Sequence, residues 1–294
     1  MSTITEFAPA KINLTLHVLG KRPDGYHLLE SLVVFAGTGD TLTVEAADDL
    51  SFHVKGPNAA ALADTPDADN LVLKAARMLD AASLSDTGRG RGAKITLDKR
   101  LPVAAGIGGG SADCAAAMRA LNTLWDLGHD AATLGALGLE LGADVPVCVQ
   151  APRPCVMSGI GEKIARAPSM PDLWCVLVNP GVPVATGPVF QALNAQPTTA
   201  ESDTFWPGGF SDAKAAARFM RTCRNDLEPP ARNLVSEVGE TVRAIASTKD
   251  CLMARMSGSG ATCFGLYTDE AAATHAAAAL GREGWWVEAA HILS

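Results

Sequence analysis

Aromatic residues are scarce: they fill 5% of the 294 positions, and two of them are Tyr. A core must then come from Leu, Val, Ile and Ala. An RNA surface, which interleaves stacking rings with basic residues, has little to draw on. Positive charge is in deficit too, with a formal net charge of −8. That excludes a general nucleic-acid or anionic-membrane face, since either needs clustered Lys and Arg. The seven cysteines form no C-x-x-C pair, which argues against a zinc site and for free thiols in a reducing cytoplasm. No apolar run approaches the ~20 residues of a bilayer span. The start, Met1 to Glu6, lacks the basic-then-apolar layout of a signal peptide. These absences predict a soluble cytoplasmic chain without nucleic-acid or membrane partners; a monomer or weak homodimer is expected, with no interface signal in the sequence behind it.

What is present has the size and apolar content of a globular fold, with 48% hydrophobic residues. Residues 10–19 alternate: Ile12, Leu14, Leu16 and Val18 share one face, and Lys11, Asn13, Thr15 and His17 the other. This predicts a half-buried strand. Lys21 to Leu28 reads as a turn around Asp24-Gly25, followed by strands near 30–35 and 40–46. Helical spacing predicts a helix over 70–82, with Asp69 or Asn70 as N-cap. A flexible connection at 88–92 and a strand over 93–98 follow. A long helix is predicted over 111–127, capped by Ser111 and closed by Gly128. Further elements are expected at 131–141, 174–179, 256–267, 270–280 and 285–289, and a surface excursion at 196–212. There is no internal repeat. Strands and helices do not alternate one for one, which favours an α+β fold over a doubly wound sheet. A boundary is placed at 155/156, giving domains 1–155 and 156–294.

The chemistry gathers in one segment, Pro102, Val103, Ala104, Ala105, Gly106, Ile107, Gly108, Gly109, Gly110, Ser111 and Ala112. Four glycines after a strand and before a helix let the backbone approach a ligand and adopt positive φ. The N–H groups of 108–112 would converge at a helix N-terminus, where the dipole favours an anion. The segment is not a Walker A loop, because no Lys follows the glycines. It also departs from the dinucleotide fingerprint, because Ser111 stands where Gly or Ala is needed. The bland alternative is a flexible linker. For other residues, spacing alone favours the bland side. Lys11 would be a solvated strand lysine, Asp144 a turn or N-cap residue, Tyr26 a loop anchor, His27 a loop histidine and Phe190 a core residue. Ser257-Gly-Ser-Gly260 reads equally as a tight hairpin or as a turn that lets backbone approach a phosphate.

Pro102-x-x-x-Gly106-x-Gly108-Gly109-Gly110-Ser111-x-Asp113 resembles the second signature of the GHMP kinases, and Met256 to Phe264 resembles their third. Ala8-Pro-Ala-Lys11-Ile-Asn13, Arg22-Pro-Asp-Gly25-Tyr26-His27 and Leu141-Gly-Ala-Asp144-Val-Pro146 resemble one branch of that family. That branch moves the γ-phosphate of ATP onto a tertiary hydroxyl of a methylerythritol unit carrying CDP at its other end. The resemblance implies a two-domain GHMP kinase fold, with a ribosomal-protein-like N-terminal ATP-binding domain and a ferredoxin-like C-terminal plait. It implies ATP and Mg²⁺ as cofactors and CDP-methylerythritol as substrate, with no side chain assigned to the metal. By the same resemblance Lys11 and Asp144 are catalytic, Asn70, Leu71 and Lys99 line the adenosine pocket, and Asn13, Tyr26, His27, Thr186 and Phe190 bind the substrate. Asp113 carries no role in it. Rival readings are a kinase for mevalonate or homoserine, or a non-catalytic binding module. The Tyr26-His27 segment opposes the first, since those substrates carry no base; the retained Lys11 and Asp144 oppose the second.

Overall fold

A computed structural model describes residues 3–87, 91–193 and 204–294. In chain order the elements are β1 (Thr3–Asn13), β2 (His17–Lys21), β3 (His27–Ala47), β4 (Leu50–Lys55), α1 (Leu71–Thr87) and β5 (Gly92–Asp98), then α2 (Gly109–Leu124), α3 (Ala131–Leu141) and α4 (Val145–Val149). After these come β6 (Cys155–Gly159), β7 (Lys163–Arg166), β8 (Trp174–Asn179), α5 (Thr186–Ala192), α6 (Ala213–Thr222), α7 (Glu228–Leu234) and α8 (Ser236–Ala246). The chain closes with β9 (Met253–Met256), β10 (Cys263–Tyr267), α9 (Glu270–Leu280) and β11 (Trp286–Leu293). Mixed sheet and helices match the α+β expectation.

Compactness divides the chain into two units, each gathered from several stretches. The first holds Met1–Ala10, Gly39–Val103 and Gly108–Ala151; the second holds Lys11–Thr38, Ala104–Ile107 and Pro152–Ser294. The split at 155/156 is kept as a proposal about how function divides along the chain. These units follow compactness instead, and the crossing at Ala151/Pro152 is the one nearest to it.

In the first unit the end of β3 pairs antiparallel with β5, from Thr41↔Asp98 to Ala47↔Gly92. β4 runs parallel to β5. A parallel pair needs a long crossover, and α1 supplies it. Asn70 begins α1 by accepting the N–H groups of Val72 and Leu73, so of the two N-cap candidates it is Asn70 that caps. α1, α3 and α4 pack around α2. The buried side chains of α2 are mostly Ala, from Ala112 to Ala120, and alanine combines high helix propensity with room for close neighbours.

In the second unit β8, β9, β10 and β11 form an antiparallel sheet ordered β11-β8-β10-β9. With α8 before β9 and α9 before β11, this is the split βαβ plait expected from the family resemblance. Its core includes Val176, Val178, Val238, Ile245, Cys263 and Tyr267. The start of β3 pairs with β2 on one side and β6 on the other.

Four expectations need correction. The strands near 30–35 and 40–46 are one continuous strand, because Gly39 serves close packing rather than a turn: a Cβ there would collide with the Ala8 carbonyl. The strand over 10–19 breaks after Asn13, and its polar face is buried as well, with Lys11, Asn13, Thr15 and His17 all 6% exposed or less. The long helix starts two residues before Ser111, with Gly108 rather than Ser111 at its N-cap. It ends at Leu124, before Gly128. The connection at 88–92 and the excursion at 196–212 lie partly outside the described residues; within 204–212, Gly209 bridges to Ser169.

Candidate active site

The glycine-rich segment has an alternating backbone. Ala104, Gly106 and Gly108 have φ of 54°, 74° and 64°. A left-handed residue at the N-cap turns the chain directly into α2. The first N–H groups of a helix have no carbonyl within it to bind, so those of Gly109, Gly110 and Ser111 belong to the anion-favouring end. The first intrahelical bond runs from Ala112 N–H to Gly108 C=O, 2.7 Å. Successive amides around a left-handed residue make the concavity that holds phosphates. A Cβ on Gly110 would meet the Leu71 side chain at 3.8 Å, which places the Asn70-Leu71 pair beside this turn.

Beneath the turn lies a buried ion cluster that sequence reasoning missed. Lys99 is 2% exposed, and its Nζ contacts Asp40 Oδ2 at 2.6 Å and Asp113 Oδ2 at 2.7 Å. A Cβ built on Gly109 would stand 3.3 Å from Lys99 Nζ. Lys99 is expected to line the adenosine pocket, and its ammonium is taken up by the two Asp side chains. Asp40 Oδ1 also accepts the N–H groups of Arg100 and Leu101. Asp113 Oδ1 is buried and has no partner. Burial pushes the Asp113 carboxyl up to about 8 against the pull of Lys99. The two carboxylates raise Lys99 above its ordinary value, outweighing the larger opposing effect of burial. Spacing gave no sign of the cluster, because Asp40 and Asp113 stand 59 and 14 residues from Lys99 with no periodic pattern joining them.

In the second unit the residues 104–107 are pinned to the β9–β10 hairpin. Thr262 N–H donates to Ala105 C=O at 3.0 Å, and Ser257 Oγ donates to Gly106 C=O at 3.2 Å. A Cβ on Gly106 would collide with the Gly260 carbonyl, so glycine at 106 permits the contact. Asn225, 5% exposed, holds the hairpin by donating to Met256 C=O at 2.8 Å and Gly258 C=O at 2.9 Å. It was not anticipated; it lies in a polar stretch with no periodic pattern.

Asn13 stands against this hairpin. Its N–H donates to Ser257 Oγ at 3.1 Å, and its Nδ2 to Ser31 Oγ at 2.7 Å. Its Oδ1 is buried without a partner, 3.3 Å from a Cβ built on Gly258. Lys11 is buried at the end of β1; its N–H donates to Ile107 C=O, and its charge acts on the Cys155 thiol. Thr186 opens α5 and shares a hydrogen bond with Ser259 at 2.9 Å. His27 stacks on Phe190, with ring centroids 4.7 Å apart and planes inclined by 29°. Burial, aided by Lys21, lowers the His27 pKa, so this ring is neutral and aromatic in character at pH 7. Tyr26 is 59% exposed beside it in sequence, in a turn closed by its N–H to Asp24 Oδ1. In the first unit Asp144 is at the N-cap of α4, but its carboxylate makes no capping bond.

Among the described residues no group of three or more His, Cys, Asp or Glu could hold a metal ion. The seven cysteines are free, and burial lifts the Cys114, Cys155 and Cys175 thiols to about 12, which makes them inert. No helix among the described residues is long and apolar enough to cross a membrane.

Comparison with known proteins supplies the context. The family model for the GHMP kinases N terminal domain matches residues 70–151, and that for the GHMP kinases C terminal matches 209–285. The chain is 54% identical to the 4-diphosphocytidyl-2-C-methyl-D-erythritol kinase of Paramagnetospirillum magneticum over 100% of both chains. It is 51% identical to the enzyme of the same name from Parvibaculum lavamentivorans over 97% of each. A crystal structure of a 4-(cytidine 5'-diphospho)-2C-methyl-D-erythritol kinase superposes with a TM-score of 0.75 at 32% identity, covering 99% of this chain and 100% of that one.

Proposed function

The chain belongs to the GHMP kinases, and on that premise we propose that it transfers the γ-phosphoryl group of ATP to the 2-hydroxyl of 4-diphosphocytidyl-2-C-methyl-D-erythritol. The products are the 2-phosphate and ADP, and the step belongs to the non-mevalonate route to isoprenoid precursors. The observation that carries the kinase reading is the left-handed Gly108 opening α2, which aims main-chain N–H groups at an anion. The likeness to named relatives over the whole chain carries the choice of substrate.

Residues 102–112 hold the triphosphate, and Asn70 and Leu71 line the adenosine side. Mg²⁺, when bound with the nucleotide, would supply positive charge against that of the phosphates. Asp144 takes or orients the proton of the attacking hydroxyl, which is worth roughly 10²–10⁴-fold. Lys11 stabilises charge developing on the transferred group. Phosphoryl transfer leaves the protein little covalent work, so positioning and charge provide most of the rate. At the other end the cytosine stacks on Tyr26, and His27, Phe190, Asn13 and Thr186 complete the substrate site. The orphan Oδ1 of Asn13 fits this role, since a buried acceptor without a partner is satisfied by a ligand donor.

ADP release with ATP and Mg²⁺ tests the reading directly. Turnover of the CDP compound is expected, with mevalonate and homoserine left unused. Turnover of either of those alone would remove the substrate and keep the class. Asp144→Asn is expected to lose ~10²-fold or more in kcat; unchanged turnover would remove Asp144 from its role.

A further inference from the structure

The ion cluster under the first turn of α2 is larger than packing requires. One ammonium serves two carboxylates, all three side chains are buried, and the cluster sits against Gly109, the first residue of the helix. Fully ionised, it would carry one unbalanced negative charge in a dry site, and a buried charge without a partner is costly. A proton on one carboxyl removes the imbalance. The two carboxyls are not equivalent: Asp40 Oδ1 accepts two main-chain N–H groups, and Asp113 Oδ1 accepts none.

We propose that Asp40, Lys99 and Asp113 are positioning residues for the nucleotide-binding turn, and that Asp113 carries a proton in the form that binds ATP. The inference rests on the reading of residues 108–112 as the phosphate site. Removing the proton places a second negative charge within the first turns of α2, one helical turn past Gly109, and opposes the triphosphate there. The charges acting on Asp113 are Asp40 from β3 and Lys99 from the turn after β5. On α2 itself Cys114 is neutral, and Arg119 is paired with Glu6. The buried residues of α1 (Val72, Ala75, Ala76), Leu134 of α3 and Val145 and Val149 of α4 carry no charge. The helix dipole favours the ionised form, but it acts mainly within the first turn and Asp113 lies just beyond it. Burial favours the neutral form and wins, with Asp113 pushed up to about 8.

Two measurements test this with the full-length protein. Between pH 7.5 and 9.5, where MgATP itself does not titrate, the KM for ATP is expected to rise on the order of fivefold, with kcat changing less. Asp113→Asn, which keeps the shape and removes the titration, is expected to flatten that profile. A flat wild-type profile, or a variant that keeps the rise, overturns the proposal. Calorimetry of the wild-type protein needs no variant to fold. Binding of a non-hydrolysable ATP analogue at pH 8.5, compared in two buffers of different ionisation enthalpy, is expected to take up a fraction of a proton. Binding without uptake overturns the proposal and leaves the kinase reading intact, whereas no binding at all overturns the kinase reading itself.

Discussion

The two glycine-rich turns of this molecule solve the same steric problem with different supports. At residues 106–110 the turn opens α2 above Lys99 and two aspartates, all buried. At residues 257–260 the turn is held by neutral groups, the Asn225 amide and the Ser257 hydroxyl. Glycine is required in both because backbone meets backbone: Gly258 and Gly260 lie against Gly106 so closely that a Cβ on Gly258 would be 2.9 Å from its carbonyl. A neutral support holds geometry at any pH. A charged one holds geometry and adds a field that depends on protonation.

Breaking the charged support should cost most. Lys99→Met leaves the Asp40 and Asp113 side chains buried around no cation, and a loss of ~3–5 kcal/mol is expected in urea unfolding at pH 7. A loss under ~1 kcal/mol would mean that water already reaches the cluster. Asn225→Ala orphans two carbonyls and the Leu227 N–H that its Oδ1 accepts. About 2–3 kcal/mol is expected there, with a loss independent of pH between 6 and 9.

The pH dependence separates the two regions further. Asp113 is raised in the folded chain above its unfolded value of 3.8, so its contribution to stability is complete below about pH 4 and is lost as the pH rises to about 8. Thermal melts across that window should show a downward trend that Asp113→Asn reduces. A smaller effect of opposite sign is expected from His17 in the second unit. Its Nε2 accepts the Arg224 N–H and its Nδ1 meets Thr204 Oγ1, so the ring is held neutral in one tautomer. Burial lowers its pKa, chiefly, with Arg224 adding to the effect. Its stabilisation is therefore present above the unfolded value of 6.5 and is lost as the pH falls through the lower folded value. His17→Gln should remove that acid sensitivity; an unchanged acid slope would assign it to other groups.

Much of the fold was legible because it rests on periodicity. Ala115, Met118, Leu121 and Trp125, at helical spacing along the helix predicted over 111–127, are buried, and β5, β8, α3 and α9 fall where spacing puts them. The plait order was accessible only through the family resemblance. Misreadings arose where polar residues or glycines do interior work. Thr15, Asn13 and His17 alternate like a solvated face, yet each is buried and bonded: Thr15 Oγ1 accepts the Leu32 N–H, and Ser31 donates to the Thr15 carbonyl. The two strands expected near 30–35 and 40–46 are one, and Gly39 between them is a point of close approach. α7, for which no element was expected, carries Pro229-Pro230 in its first turn, where proline is tolerated. The site was legible as a glycine pattern, and its supports were not, because Asp40, Lys99 and Asp113 meet only after folding. The His27–Phe190 stack shows the same limit: both residues were expected at the substrate, but the direct contact between them was not.

The most direct test of the account is a crystal of the protein with a non-hydrolysable ATP analogue and Mg²⁺. The expected result is phosphate oxygens within ~3 Å of the N–H groups of Gly109, Gly110 and Ser111, with Lys99 still bound to both aspartates beneath them. Phosphates bound elsewhere with that turn empty would contradict it.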